Sequence, residues 1–234
     1  MTNSYLVGYL IIKVTPFFSL HFDMIAHLDE MMNSRIYDRF YLLKIFLSEI
    51  KPEIWRRFVV PAGISLDRLH DVIQIVMGWQ DYHLHQFIIG NKRYTEHPEE
   101  KEDGAEEYRF RLIKLIKQKG RIFQYLYDFG DYWMHEITIE DSNYFAPDLR
   151  DMPVCLEGER ACPPEDVGGV SGYYEFCEAI SDPNHPEHQE YMEWSGGMFK
   201  IKEFNIHNVN YELQKYVRWS RRRLLPWEAY DLKM

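Results

Sequence analysis

One stretch, residues 121–140, narrows most sharply what this chain can fold into. Residues 121–127 and 133–140 are rich in β-branched and aromatic side chains and are parted by Asp128-Phe129-Gly130-Asp131-Tyr132. Gly and Asp at the centre of so short a connection supply the chemistry of a tight β-turn, so the two runs read as an antiparallel hairpin. In the second run Trp133, His135, Ile137 and Ile139 fall on one side, which turns that face of the strand towards a core.

Elsewhere the pattern agrees with a sheet. Residues 41–50 and 54–60 read as two strands joined at Pro52. In the second, Ile54, Arg56, Phe58 and Val60 share one face and Trp55, Arg57 and Val59 the other. Ser65 then stands where a helix N-cap belongs, with Asp67 in the first turn and Leu66, Leu69, Ile73, Val76 and Met77 on one stripe up to Gly78. His70 falls on that stripe. Residues 84–90 form a further strand, residues 95–107 a charged solvated loop, and 109–118 either a short helix or a strand. Beyond Pro153 the texture becomes loop, followed by helical stretches near 171–181, 186–194 and 205–218. The expected fold is α+β, a mostly antiparallel sheet with one early crossing helix and a C-terminal helical part. Its core is expected to hold Trp55, Leu69, Ile73, Val76, Trp79, Phe87, Phe123, Trp133, Ile137 and Ile139.

The domain is expected to span residues 36–218, with 1–35 an appendage, poorly ordered or an over-extended start, and 219–234 a tail. Lys13 and Pro16 interrupt the apolar run at 5–20, which is also short for a membrane span. No basic residue precedes that run, which argues against a signal peptide. Three cysteines make no disulfide framework, and a reducing cytoplasm is the natural setting. The net charge of −10 disfavours nucleic acid, because it repels the phosphate backbone. Arg218, Arg221, Arg222 and Arg223 around Trp219 are the local exception. A protein partner or a small ligand is the expected company.

Chemistry concentrates in a few blocks. His83 and His85 sit at strand spacing, which places both imidazoles on one face where a third ligand would complete a transition-metal site. His135 is expected to be partly buried, with Asp128 or Asp131 in reach as its partner. Two prolines and two glycines bracket Glu165 and Asp166 in Cys162-Pro-Pro-Glu-Asp-Val-Gly-Gly, a loop shaped to hold carboxylates or to dock one part of the fold on another. The candidate cluster is therefore His70, His83, His85, Asp128, Asp131, His135, Glu165 and Asp166, with His83, His85 and His135 as ligands of a divalent metal such as zinc. A buried polar network is the competing reading of the same residues. The Asp128-Phe129-Gly130 triplet lacks every companion motif of a kinase, which excludes that class.

Taken together, Ile54-Trp-Arg-Arg, Leu69-His70 with Gly78-Trp79, His83-Leu-His85-Gln-Phe87, Tyr127-Asp-Phe-Gly-Asp-Tyr-Trp133-Met-His135 and the block from Cys155 to Gly172 resemble the plasmid pRiA4b ORF-3-like family, over roughly residues 39–217. The resemblance implies an α+β domain widespread in microbes and sometimes encoded on mobile elements. It brings no established activity with it. Two functions stay open: a non-enzymatic binding or regulatory module, which the missing catalytic constellation favours, and a metal-dependent, hydrolase-like enzyme using the His/Asp cluster.

Overall fold

The structure is a computed structural model that describes residues 39–98, 100, 103–146, 149, 152–197 and 199–216. The appendage at 1–35, the tail at 219–234 and the arginine cluster lie outside the described residues.

Eight strands form one sheet: β1 (Phe40–Leu47), β2 (Trp55–Pro61), β3 (His85–Ile89), β4 (Lys92–Thr95), β5 (Ala105–Glu106), β6 (Ile122–Tyr127), β7 (Trp133–Tyr144) and β8 (Val154–Glu159). Their order is β5-β4-β3-β6-β7-β1-β2-β8, antiparallel throughout except for the β4–β5 pair. The helices are α1 (Leu66–Met77), the single turn α2 (Leu112–Leu115), α3 (Gly169–Ser181), α4 (His188–Trp194) and α5 (206–216). The α+β class read from the sequence is the fold observed.

Register explains the core. Phe87 pairs with Tyr125, Tyr125 with His135 and His135 with Leu47, so these four side chains form one row across the sheet. His85, Tyr127 and Trp133 form the row beside it. Partners opposite one another share a face, and every member of both rows is buried. α1 lies over these rows, where Gln74 Nε2 and His70 Nδ1 both meet the Tyr125 hydroxyl, at 2.9 and 2.7 Å. Ser65 takes the N-cap position of α1 without a side-chain bond, and Gly78 ends the helix at φ 103°. Positive φ at that position suits glycine.

Several expectations need correction. Trp55 is only half-buried, because the core face of β2 is the Ile54–Arg56–Phe58–Val60 face. Its indole lies on the outer face near the Lys44 and Arg57 side chains. The region 95–107 is not simply a solvated loop: it supplies β5 and the buried Glu107. The segment after Pro153 opens with β8, an edge strand. Asn210 of α5 blunts that edge by bonding the Cys155 backbone N–H and C=O at 2.8 and 2.9 Å. Residues 109–118 contribute the short α2. The other nine expected core residues are buried.

Candidate functional site

Three connections meet beside these rows: residues 78–84 between α1 and β3, the hairpin turn 128–132, and the loop 160–168 leading into α3. They are tied to one another directly. Asp128 N–H donates to Leu84 O at 2.9 Å. Gln80 N–H and the Tyr127 hydroxyl both donate to Glu165 Oε1, at 2.7 and 3.0 Å. Gly168 N–H donates to Asp131 Oδ2 at 3.1 Å, and a Cβ on Gly169 would lie 2.7 Å from Asp131 O. Asp81, Asp128, Tyr132, Arg160 and Asp166, the non-glycine residues of positive φ among the described residues, all lie on these connections. Such conformations cost free energy and gather where a local geometry is held for use.

Seven of the eight candidate residues fall into three environments, and Asp131 stands apart from them. The first surrounds His83. Its Nε2 lies 3.6 Å from Asp128 Oδ2, 3.8 Å from Glu165 Oε2 and 3.1 Å from Asp166 Oδ1. His83 Nε2 and Glu165 Oε2 are both inaccessible to solvent and make no hydrogen bond, although the Glu165 side chain is only 9% exposed. Among the described residues no Lys or Arg forms an ion pair with these three carboxylates. Buried polar atoms left without partners are rare in folded proteins, and three unneutralised acids around one imidazole repel each other. The Tyr127 hydroxyl, held against Glu165, has its pKa raised by burial and then by that carboxylate's charge.

The second environment is a closed network. The rings of His70 and His85 stack with centroids 3.5 Å apart and planes 8° from parallel. His70 Nδ1 meets Tyr125 OH and its Nε2 meets Asp81 Oδ1 at 2.9 Å. His85 Nε2 lies 3.0 and 2.9 Å from the two oxygens of buried Glu107. The bond from His70 is the chief cause that lowers the Asp81 pKa. His70, Asp81 and His85 bring ligand atoms within 4.8 Å of one another. A metal is nevertheless a poor occupant: an imidazole lone pair lies in its ring plane, and no point lies in both of two parallel stacked planes. His70 Nδ1 and Nε2 and His85 Nε2 already have partners, and the network anchors both ends of the segment that presents His83.

The third environment is that of His135. Its Nδ1 donates to Trp133 O at 2.9 Å and Tyr125 O at 3.2 Å, while Nε2 accepts from Trp79 Nε1 at 3.4 Å. Burial lowers its pKa to about 4, so the ring is neutral at physiological pH. Both nitrogens are occupied, by backbone and indole rather than by Asp128 or Asp131. The expected trio of His83, His85 and His135 is therefore not assembled. Alternation had put His83 and His85 on one face, but β3 begins only at His85, and His83 belongs to the connection before it. Asp131 fastens loop 160–168 to the hairpin and is not among the oxygens facing His83. Asp81 and Glu107 carry no signal in the sequence, and Tyr125 and Tyr127 stand in the hairpin block with nothing there to assign them a role. Glu107 lies in a charged run indistinguishable from a solvated one, and only tertiary pairing with His85 marks it.

Known proteins place this arrangement in context. A family model described as "Plasmid pRiA4b ORF-3-like protein" matches residues 39–208. "Uncharacterized protein y4hQ" of Sinorhizobium fredii (strain NBRC 101917 / NGR234) is 44% identical over 184 residues, which cover 77% of this chain and 94% of that protein. The crystal structure of a protein of unknown function, MM3350 from Methanosarcina mazei Go1, aligns with a TM-score of 0.67 at 32% identity, over 74% of this chain and 98% of that one. The matched segment contains all eight candidate residues. No helix among the described residues is long and apolar enough to cross a membrane.

Proposed function

This chain belongs to the plasmid pRiA4b ORF-3-like family, and we propose that it binds one divalent cation between His83, Asp128 and Asp166, with Glu165 beside them, and works through that ion. The supporting observation is the meeting of His83, Asp128 and Asp166, whose ligand atoms lie within 4.8 Å of one another, beside the buried Glu165 Oε2 that has no hydrogen-bond partner. Bonds of about 2.0–2.2 Å to a shared ion separate neighbouring ligand atoms by roughly 3.0–3.5 Å, close to the spacings around His83. One imidazole with three carboxylates suits Mn²⁺, Fe²⁺ or Zn²⁺. The Asp166 side chain is 69% exposed, so the centre stands open on one side, where an ion's remaining positions take water. An ion with open positions lowers the pKa of its bound water, which is the chemistry of a metal-dependent hydrolase.

The test is calorimetric titration of EDTA-stripped full-length chain with Mn²⁺ and with Zn²⁺. One ion should bind per chain, and His83→Ala or Glu165→Gln should each weaken binding at least about tenfold. His97→Ala, at an exposed histidine outside the cluster, should change nothing. Undiminished binding in both cluster variants would remove the site. The non-enzymatic module remains the second reading, favoured by the exposed aromatic side chains of the same connections. Metal uptake without turnover of any ester, amide or phosphoester substrate would support it.

A further inference from the structure

The connections that carry the His83 centre also present large exposed side chains. Tyr82, Leu84, Phe129 and Tyr132 are 68%, 60%, 48% and 57% exposed. They make up four of the ten large apolar side chains exposed among the described residues, and all four lie on the two connections that carry His83 and Asp128. Tyr82 and Leu84 flank His83 in the chain, and Phe129 follows Asp128. A hydrogen bond from Asp128 N to Leu84 O holds the two connections side by side. Grouped exposed apolar surface beside a polar centre marks a contact for a ligand, whereas scattered exposed side chains need no explanation.

Charge narrows the ligand. Three carboxyl side chains gather on the one imidazole of His83, and among the described residues no Lys or Arg pairs with them, so the surround of a bound cation is acidic. Asp131 and Asp81 add acid on the same connections, and the whole chain is at −10. A phosphate or carboxylate approaching the ion meets this negative surround at short range, where like charges repel strongly. An uncharged oxygen donor meets no such penalty. Shape narrows the ligand further. The rim is split between two connections and stands open to solvent, so it suits an extended chain laid across the ion better than a small molecule that must be enclosed to bind well.

Resting on the metal reading above, we propose that this site takes an uncharged polypeptide segment, with a main-chain carbonyl at the cation and an apolar side chain on the rim of Tyr82, Leu84, Phe129 and Tyr132. The carbonyl replaces a water on the ion. The rim supplies apolar and edge-to-face contacts to the side chain, and Tyr is suited to this because its hydroxyl stays in water while its ring is covered.

Water-proton relaxation of the Mn²⁺-loaded full-length chain tests this directly, since a ligand that displaces ion-bound water lowers the relaxation enhancement. Three probes separate the contributions: N-acetyl-phenylalanine methylamide (uncharged, with a ring), N-acetyl-glycine methylamide (uncharged, without one) and phenyl phosphate (anionic, with a ring). The phenylalanine amide should displace water at concentrations at least about fivefold lower than either other probe. The double variant Phe129→Ser, Tyr132→Ser should erase its advantage over the glycine amide and leave Mn²⁺ affinity unchanged. Both side chains are exposed and neither is among the proposed ligands, so the variant should fold. Preference for phenyl phosphate would overturn the charge argument. Unchanged discrimination in the double variant would overturn the rim, and failure of all three probes would overturn the ligand class. A chain that takes up no Mn²⁺ would sink the metal reading, and this proposal with it.

Discussion

His135 is a single residue whose burial sets a pH dependence for the whole fold. Its folded-state pKa of about 4 lies below the ordinary histidine value of 6.5. The unfolded chain therefore binds a proton between those values that the folded chain refuses, and stability must rise with pH across that window. The contribution is fully present above pH ~6.5 and is lost as pH falls towards ~4, with a span of about 3 kcal/mol. Urea midpoints measured from pH 4 to 7 should show the slope, and His135→Gln should flatten it even if the variant is less stable throughout. An unchanged slope in that variant would assign the titration to another group. The same burial explains why His135 cannot serve as a ligand: its donor is spent on the Trp133 and Tyr125 carbonyls and its acceptor on the Trp79 indole.

At the scale of elements, the hairpin, α1 and the buried face of β7 are legible in the sequence because each repeats one period over many residues, whereas the rows across the sheet come only from strand pairing. Trp133, His135, Ile137 and Ile139 alternate on β7, and the α1 stripe recurs at helical spacing. Short strands carry no such signal. β4 is four residues with two basic ones, and β8 contains Gly158. That glycine is required by a distant contact: a Cβ there would come within 2.6 Å of Phe204 and 2.7 Å of Arg56. The loop bearing Glu165 and Asp166 shows the same dependence on remote partners. Gly169 begins α3 at φ 68°, with Asp131 O where its side chain would be. Gly169→Ala is accordingly expected to push the loop off the hairpin turn. Mn²⁺ binding should weaken by several-fold, and the cost in stability should be about 1–2 kcal/mol. Metal titration beside thermal unfolding separates the two effects. Equal Mn²⁺ affinity in the variant would mean that the loop does not depend on this contact.

Across the whole molecule, one buried cation joins parts that lie far apart in the chain. The Arg56 guanidinium donates to Val76 O of α1 at 2.8 Å, to Trp55 O of β2 at 2.7 Å, to Glu159 O of β8 at 2.9 Å and to Arg160 O at 2.8 Å. Its far side stacks on Phe204, 3.9 Å from the ring centre. Burial lowers its pKa, and no carboxylate pairs with it among the described residues, so its charge is met by carbonyl dipoles and a ring. From the sequence Arg56 could be placed on the Phe58 face and no further, because its partners are main-chain oxygens that any residue could supply. The candidate site was legible in a similar way: the blocks holding His83, Asp128, Glu165 and Asp166 stood out by composition, whereas their convergence needed the fold. Arg56 also bears on that site, since Arg160 opens the loop that carries Glu165 and Asp166. Lysine retains the charge but has a single nitrogen and no planar fork, so it cannot reach four carbonyls in two directions or stack on Phe204. Arg56→Lys should therefore cost about 3 kcal/mol or more in urea unfolding, through carbonyls left buried without donors. It should also weaken Mn²⁺ binding at the distant carboxylates. A loss under about 1 kcal/mol would show that water reaches those carbonyls once the guanidinium is gone, and that sheet, helix and loop hold together without it.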